Sequence, residues 1–255
     1  MPAAGDFAFL DWPGPIPFAH RGGASEVPEN TLPAFEHAVR LGYRYVETDV
    51  HLTADGVLLA FHDDVLDRVT DRTGVIAELS WSTVREARVD GREPIPLLED
   101  LLGTFPELLV NIDPKHDASV DALVATLRRT GAVERVCVGA FSDERVARVR
   151  DALPGICTSL GPEGTLQLGQ AAAGTAEVGV LPDPCAQVPT RFGEDEIVTE
   201  AFIAEAHRRG IAVHVWTIDD EAEMTRLLDL GVDGLMTDVP AVLRRVLEAR
   251  GQWFA

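Results

Sequence analysis

The sequence predicts an α/β protein, a (β/α)8 TIM barrel with a small insertion after its second strand. Three observations carry this. Short β-branched or apolar runs alternate with longer amphipathic segments along the whole chain. Eight strand candidates fall within 255 residues, a length that suits one barrel. Acidic residues, a histidine and a lysine recur at strand ends, where barrel enzymes keep their functional groups. Such alternation implies parallel strands joined by crossover helices. A doubly wound open sheet fits the same alternation and is the competing architecture.

Strands are predicted over 16–20, 44–50, 108–113, 135–141, 155–158, 177–181, 211–217 and 233–236. Helices are predicted over 32–41, 119–130, 144–152, 165–173, 194–209, 221–230 and 241–249. In the first helix Asn30 or Thr31 caps, Pro33 falls in the first turn, and Leu32, Phe35, Ala38 and Val39 form an apolar stripe ended by Gly42. The helix over 194–209 ends in cations followed by Gly210, which makes His207 structural. Residues 51–97 break the rhythm with a turn at Thr53-Ala54-Asp55-Gly56, a second extended run over 57–61, a polar stretch and a short helix from about Ser82. They read as an insertion within one catalytic domain spanning 1–255.

Hydrophobic residues make up 46% of the chain and charged residues 25%, enough for a core and with no low-complexity stretch. The net charge of −20 argues against nucleic acid and anionic membranes as partners. An anionic small molecule would need a local positive site. Cys137, Cys157 and Cys185 show no metal-ligand or paired spacing and read as buried thiols in a reduced compartment. The N-terminal stretch lacks a basic segment followed by an apolar run, so the expected location is cytoplasmic.

Strand parity singles out the first candidates. Tyr45, Glu47 and Asp49 share one face of their strand, while Val46, Thr48 and Val50 share the other. Two inward carboxylates cost several kcal/mol each unless compensated, roughly. A bound cation compensates them, and carboxylates without softer ligands favour Mg2+ or Ca2+. An ion pair with Arg44 or Arg40 is the alternative. Asn111, Asp113 and Lys115 alternate in the same way, and Lys115 is the only lysine of the chain. Asp113 offers a third carboxylate and Lys115 a point charge for a phosphate oxygen.

His20-Arg21-Gly22-Gly23 ends the first strand, with His20 at the barrel mouth and Arg21 able to form paired hydrogen bonds to phosphate. His62 follows the run over 57–61 as a second acid/base candidate. Trp216 shares parity with His214 and points to the mouth or packs in the core. His51, His116 and His214 line the same end without an assigned role, His37 is a solvated helix residue, and Asp238 reads as a cap for the last helix.

Taken together, the segments His20-Arg21-Gly22, Pro28-Glu29-Asn30-Thr31, Glu47-Thr48-Asp49-Val50, Thr53-Ala54-Asp55-Gly56, Phe61-His62-Asp63, Asn111-Ile112-Asp113-Pro114-Lys115, Trp216-Thr217 and Gly231-Val232-Asp233-Gly234 through Thr237-Asp238 resemble the glycerophosphodiester phosphodiesterase family. The resemblance runs from the first strand to the last. It implies hydrolysis of a glycerophosphodiester to glycerol 3-phosphate and an alcohol. It implies Glu47, Asp49 and Asp113 as ligands of a divalent metal (Mg2+ or Ca2+, with Mn2+ next), His20 and His62 as the general acid/base pair, and Arg21 and Lys115 at the phosphate, with Trp216 on the substrate side. Two positions depart from the pattern: Asp113 stands where glutamate is usual, and Asp219 where asparagine is common, a change expected to touch only the local turn. A phospholipase D-like relative acting on lysophospholipids would want an apolar loop at the mouth, for which residues 182–192, with Val188 and Phe192, are the candidate. A non-catalytic metal- or phosphate-binding barrel is the reading from another class.

Overall fold

The computed structural model describes residues 4–254, so the first three residues of the N-terminal stretch lie outside the described residues. Among the described residues, eight parallel strands close into a barrel: β1 (Ile16–His20), β2 (Tyr45–Leu52), β3 (Leu109–Pro114), β4 (Val136–Val138), β5 (Cys157–Leu160), β6 (Cys185–Pro189), β7 (Ala212–Trp216) and β8 (Gly234–Thr237). Strand β1 pairs in parallel with both neighbours, Phe18 lying beside Tyr45 of β2 and Met236 of β8. An open doubly wound sheet would leave two edges, and this closure excludes it. Around the strands lie α1 (Leu32–Arg40), α2 (Trp81–Val84), α3 (Leu98–Thr104), α4 (Ser119–Thr130), α5 (Asp143–Ala152), α6 (Pro162–Ala172), α7 (Glu200–Arg208), α8 (Glu221–Leu230) and α9 (Pro240–Ala249).

Parity sorts the core into layers. Val46 and Val50 of β2 join Phe35, Leu101, Leu123 and Ile112 under the helices. Tyr45 instead joins Phe9, Phe18, Met236 and the three cysteines in the barrel interior. The Tyr45 hydroxyl donates to the Phe9 carbonyl at 2.8 Å, and the two rings meet edge to face at 5.3 Å. A short 3-10 turn, Ala8–Leu10, thereby plugs the N-terminal end and leaves the C-terminal mouth for chemistry. All three cysteines are buried and free, as composition suggested.

Between β2 and α3 the chain makes an excursion of its own. The strand Leu58–Ala60 folds back antiparallel on β2, and Arg88–Val89 pairs with Glu93–Pro94. Leu59, Phe61, Leu66, Ile76, Val84 and Val89 pack there as a separate apolar cluster. Helix α3, with Leu98, Leu101 and Leu102 buried, was not among the predicted helices, although that spacing is helical.

Two predicted elements are displaced. The sixth strand is Cys185–Pro189, not 177–181. The earlier run is β-like in composition, but the Arg209 guanidinium takes the Val178 and Gly179 carbonyls at 3.2 and 2.7 Å, in place of a sheet neighbour. Flanking prolines disguise the true strand, whose Ala186 and Val188 pack outward under α7 and α8. The helix predicted over 194–209 starts only at Glu200. Thr199 caps it by accepting from the Phe202 amide at 3.1 Å, and the residues before it form the ribbon Arg191–Phe192 with Asp195–Glu196.

The β1–α1 loop sets where His20 and Arg21 point. Arg21 has φ 51° and Gly22 φ 82°. A Cβ on Gly22 would lie 2.7 Å from the Ala34 Cβ and 2.8 Å from the Ala34 carbonyl carbon. Both the left-handed backbone and the contact with α1 demand glycine there. Gly22→Ala is expected to lower stability by about 2 kcal/mol. Urea unfolding measures it, and an unchanged midpoint would show that α1 yields freely.

Candidate active site

Register brings the acidic residues together. His20 pairs with Glu47 across β1 and β2, and Asp49 pairs with Asp113 across β2 and β3. His20 ends β1 and Asp113 is the last residue but one of β3, with Arg21 and Lys115 immediately beyond, while Glu47 and Asp49 stand at the matching registers within β2. His62 arrives from the excursion, since Leu58–Ala60 runs antiparallel to β2 and delivers the next residues back to the mouth.

Asp49 is the hub. Its Oδ1 lies 2.6 Å from Lys115 Nζ, and its Oδ2 lies 3.4 Å from Arg21 Nε and 3.3 Å from Asn30 Nδ2. Lys115 also reaches Asp113 Oδ2 at 2.8 Å. Glu47 Oε2 accepts from the Arg21 amide at 3.3 Å and lies 3.6 Å from His20 Nε2. The alternative partner Arg40 pairs with Glu36 on the surface at 3.1 Å, so the cations meeting these carboxylates are Arg21 and Lys115.

Each histidine has a carboxylate behind it. His20 Nδ1 lies 2.6 Å from Asp238 Oδ1, and His62 Nδ1 lies 2.5 Å from Asp63 Oδ1. Such a contact places a proton on Nδ1 and leaves Nε2 for another partner, which for His20 is Glu47. Asp238 is therefore not the cap expected of it. Helix α9 has Val239 at its N-cap position and no side-chain cap bond. Asp219 holds Asp238 in turn, accepting from its amide at 2.8 Å and from Thr237 Oγ1 at 3.0 Å, a wider effect than a local turn. Asp63 is held by Arg68, which also binds Glu29, and Glu29 reaches back to Arg21 at 3.0 Å. Asn30 joins the strand layer to the loop, accepting from Thr48 Oγ1 at 2.8 Å.

The electrostatics are uneven. Burial, then the neighbouring Asp49 charge, pushes Glu47 up to about 7. Burial would raise Asp49 too, but Lys115 and Arg21 outweigh it and hold that carboxyl below its usual range. Burial raises Asp113 despite Lys115 beside it. For His20 burial favours the neutral ring, yet Glu47 and Asp238 prevail and raise it. Burial likewise opposes the Lys115 charge, and the Asp49 and Asp113 carboxylates overcome it.

These residues fit a divalent cation. Asp113 Oδ1 is buried without a hydrogen-bond partner, Glu47 is not neutralised by the cations around it, and the donors are all carboxylate oxygens. The other sequence candidates divide. Trp216 ends β7 half-buried, edge to face with the exposed Phe141 at 5.6 Å. His214 does not line the mouth. It is fully buried in the barrel interior, packed on Phe18 at 5.1 Å. His37 is tied to Glu26 at 2.6 Å rather than merely solvated, and His207 pairs with Asp233 at 2.7 Å, the structural role expected. Sequence reasoning gave Asp63 no role and read Asp238 and Asn30 only as helix caps, whereas Asp63 and Asp238 hold the two histidines and Asn30 reaches Asp49. For Asp63 adjacency to His62 was a signal, whereas nothing local links Asp238 to His20, 218 positions away.

Comparison with known proteins settles the family. The profile of the glycerophosphoryl diester phosphodiesterase family matches residues 20–242. The chain belongs to that family. A probable glycerophosphodiester phosphodiesterase 2 of Mycobacterium tuberculosis is 38% identical over 253 residues, covering 96% of this chain and 95% of its own. A human protein named lysophospholipase D GDPD1 is 27% identical, covering 90% of this chain and 85% of its own. The crystal structure of a putative glycerophosphoryl diester phosphodiesterase from Silicibacter pomeroyi superposes with a TM-score of 0.77 at 26% identity, covering 94% of this chain and 95% of the other. The family is one of TIM-barrel enzymes, and this member is an enzyme with the same closed barrel.

A buried carboxyl raised in the folded state is more protonated there than in the unfolded chain. Its stabilising contribution is present below the unfolded value of 4.5 and is lost as pH rises through about 7. With chelator present, stability is therefore expected to fall by on the order of 2–3 kcal/mol between pH 5 and 8 from this group. Glu47→Gln is expected to flatten that slope. Parallel pH profiles for the two proteins in denaturation curves would refute the assignment.

Proposed function

We propose that this enzyme hydrolyses glycerophosphodiesters to glycerol 3-phosphate and an alcohol, with His20 and His62 as general acid and base and a divalent metal at Glu47, Asp49 and Asp113. The observation that carries the proposal is the alternation of charge at one mouth: three inward carboxylates interleaved with Arg21 and Lys115, between two histidines that are each backed by an aspartate. A phosphodiester needs this combination. Its oxygens require cations, its attacking hydroxyl requires a base, and its departing alkoxide requires an acid.

Arg21 and Lys115 bind the phosphoryl oxygens, Arg21 as a fork and Lys115 as a point charge. A bound divalent cation, Mg2+ or Ca2+ on donor chemistry and Mn2+ next, supplies Lewis-acid stabilisation of the charge gathering on those oxygens. One imidazole Nε2 accepts the proton of the attacking hydroxyl, which comes from water directly or from the substrate's own glycerol, and in the second case a cyclic phosphate forms that water then opens to glycerol 3-phosphate. The other imidazole gives its proton to the leaving oxygen as the P–O bond breaks. Asp238 and Asp63 keep both rings in the tautomer this exchange needs. Trp216 and Phe141 form an apolar wall on the far side of the mouth, against which the carbon skeleton of the alcohol rests. The barrel and its excursion act as one catalytic domain.

A lysophospholipid substrate is the second reading. Val188 is buried under the helices and contributes nothing to an apolar mouth. Phe141 and Phe192, however, are 66% and 78% exposed on loops that follow β4 and β6. The human relative bears the corresponding name.

Purified enzyme assayed on glycerophosphocholine, glycerophosphoethanolamine and lysophosphatidylcholine should release glycerol 3-phosphate from the first two, lose activity in chelator and regain it with Mg2+, Ca2+ or Mn2+. Turnover of lysophosphatidylcholine alone would favour the second reading, and no turnover of any would sink both. His20→Ala and His62→Ala are each expected to lower kcat by about 10^2- to 10^4-fold with the fold retained. A variant with wild-type kcat would remove its histidine from the mechanism. Asp238→Asn should lower kcat by on the order of 10^2-fold or more with little change in KM. A change confined to KM would assign Asp238 to binding instead.

A further inference from the structure

Beside His62, but outside the cluster described above, three metal-ligating side chains converge from separate segments. His51 comes from β2, Asp64 from the loop after Leu58–Ala60, and His116 from the loop after β3. Their nearest donor atoms all lie within 4.8 Å of one another. Asp64 Oδ1 is 2.8 Å from His116 Nε2 and 3.9 Å from His51 Nδ1. In a tetrahedral site with bonds of about 2.0–2.2 Å, donor atoms stand roughly 3.3–3.6 Å apart. The two separations bracket that value, and Asp64 and His116 are exposed side chains with room to adjust toward it.

We propose that His51, Asp64 and His116 form a second metal site, selective for zinc or a similar transition ion and distinct from the carboxylate cluster. The tautomer of His51 supports the assignment. Its Nε2 lies 2.8 Å from the His62 carbonyl oxygen, which only accepts, so Nε2 carries the proton and Nδ1 presents its lone pair to Asp64. A ligand histidine whose other nitrogen donates to a backbone carbonyl is the usual arrangement around zinc. Two imidazoles and one carboxylate suit zinc, copper, nickel or iron, whereas the three carboxylates nearby suit magnesium or calcium. Three protein ligands leave a fourth position to water, and the half-exposed His116 and Asp64 provide the entry path. The buried thiol cluster of Cys137, Cys157 and Cys185 is sealed inside the barrel and has no such path.

The position gives the site a consequence. An ion bound there ties the loop carrying His62 to β2 through His51, and to the segment carrying Lys115 through the adjacent His116. It would fix the second histidine of the mouth relative to the phosphate-binding lysine.

The test uses the full chain stripped of metal by chelator and kept in excess Mg2+. Co2+ titration should give the visible absorption of a tetrahedral nitrogen and oxygen site. Zn2+ should displace it and raise the thermal midpoint. His116→Ala and Asp64→Ala, both exposed and not placed in the catalytic machinery, should weaken Zn2+ binding by about 10- to 100-fold or more and abolish the thermal shift. Asp113→Asn should leave both signals intact. The proposal is overturned if His116→Ala binds Co2+ and Zn2+ like the wild type, or if Asp113→Asn alone loses them. A cobalt–thiolate charge-transfer band would also overturn it by moving the ion to the cysteines. Because the readout is binding with Mg2+ in excess, its outcome is independent of whether glycerophosphodiesters are the substrate.

Discussion

Much of the molecule is organised around the cost of keeping Glu47, Asp49 and Asp113 inside one end of a barrel. Three carboxylates at buried strand ends repel one another and lose their water. Lys115 and Arg21 answer part of that cost, and each bridges to Asp49. Their own desolvation is tolerable only because the carboxylates are there. The arrangement is therefore mutually dependent, and Glu47 is where it fails to balance. A site left short of positive charge binds a cation more strongly than one already neutral, and it gives up stability while the cation is absent. Strain of this kind concentrates where function needs it.

The remaining parts of the fold serve that end of the barrel. Phe9, Tyr45 and Phe18 fill the interior below it, so the carboxylates rest on a packed floor rather than on a water channel. The left-handed Arg21 and Gly22 turn the chain sharply after β1, which brings the Arg21 amide onto Glu47 and its guanidinium onto Asp49. The excursion after β2 has its own apolar cluster and brings His62 back to the mouth. Glu29 and Arg68 then join the excursion to the β1–α1 loop. The supports of the two histidines are thus tied to each other through one chain of ion pairs, His62–Asp63–Arg68–Glu29–Arg21.

What the sequence made legible follows from range. Alternation along a strand is a local rule, and it placed Glu47 and Asp49 inward, with Val46 and Val50 outward, without reference to any neighbour. Spacing likewise narrowed the cap of α1 to Asn30 or Thr31, and Thr31 fills it. The sixth strand failed because its local signal is weaker than that of the segment before it. Residues 177–181 are β-like in composition, and only Arg209, coming from the end of α7, takes their carbonyls away from the sheet. Asp238 failed for the same reason in reverse. An aspartate just before a helix reads as a cap, yet closure of β8 onto β1 places it against His20, and nothing within its own segment encodes that contact.

Asp113 shows how a local departure is absorbed by its surroundings. With one methylene fewer than a glutamate, its carboxylate reaches less far into the mouth. Oδ2 engages Lys115 at 2.8 Å, while Oδ1 remains buried without a partner. Lys115 bridges Asp113 to Asp49, so the shorter arm is met by a flexible cation that spans the remaining distance. A rigid guanidinium would not follow both carboxylates so easily, which gives a physical reason for the one lysine in a chain otherwise supplied with arginine. The unpartnered Oδ1 keeps its lone pairs free to accept.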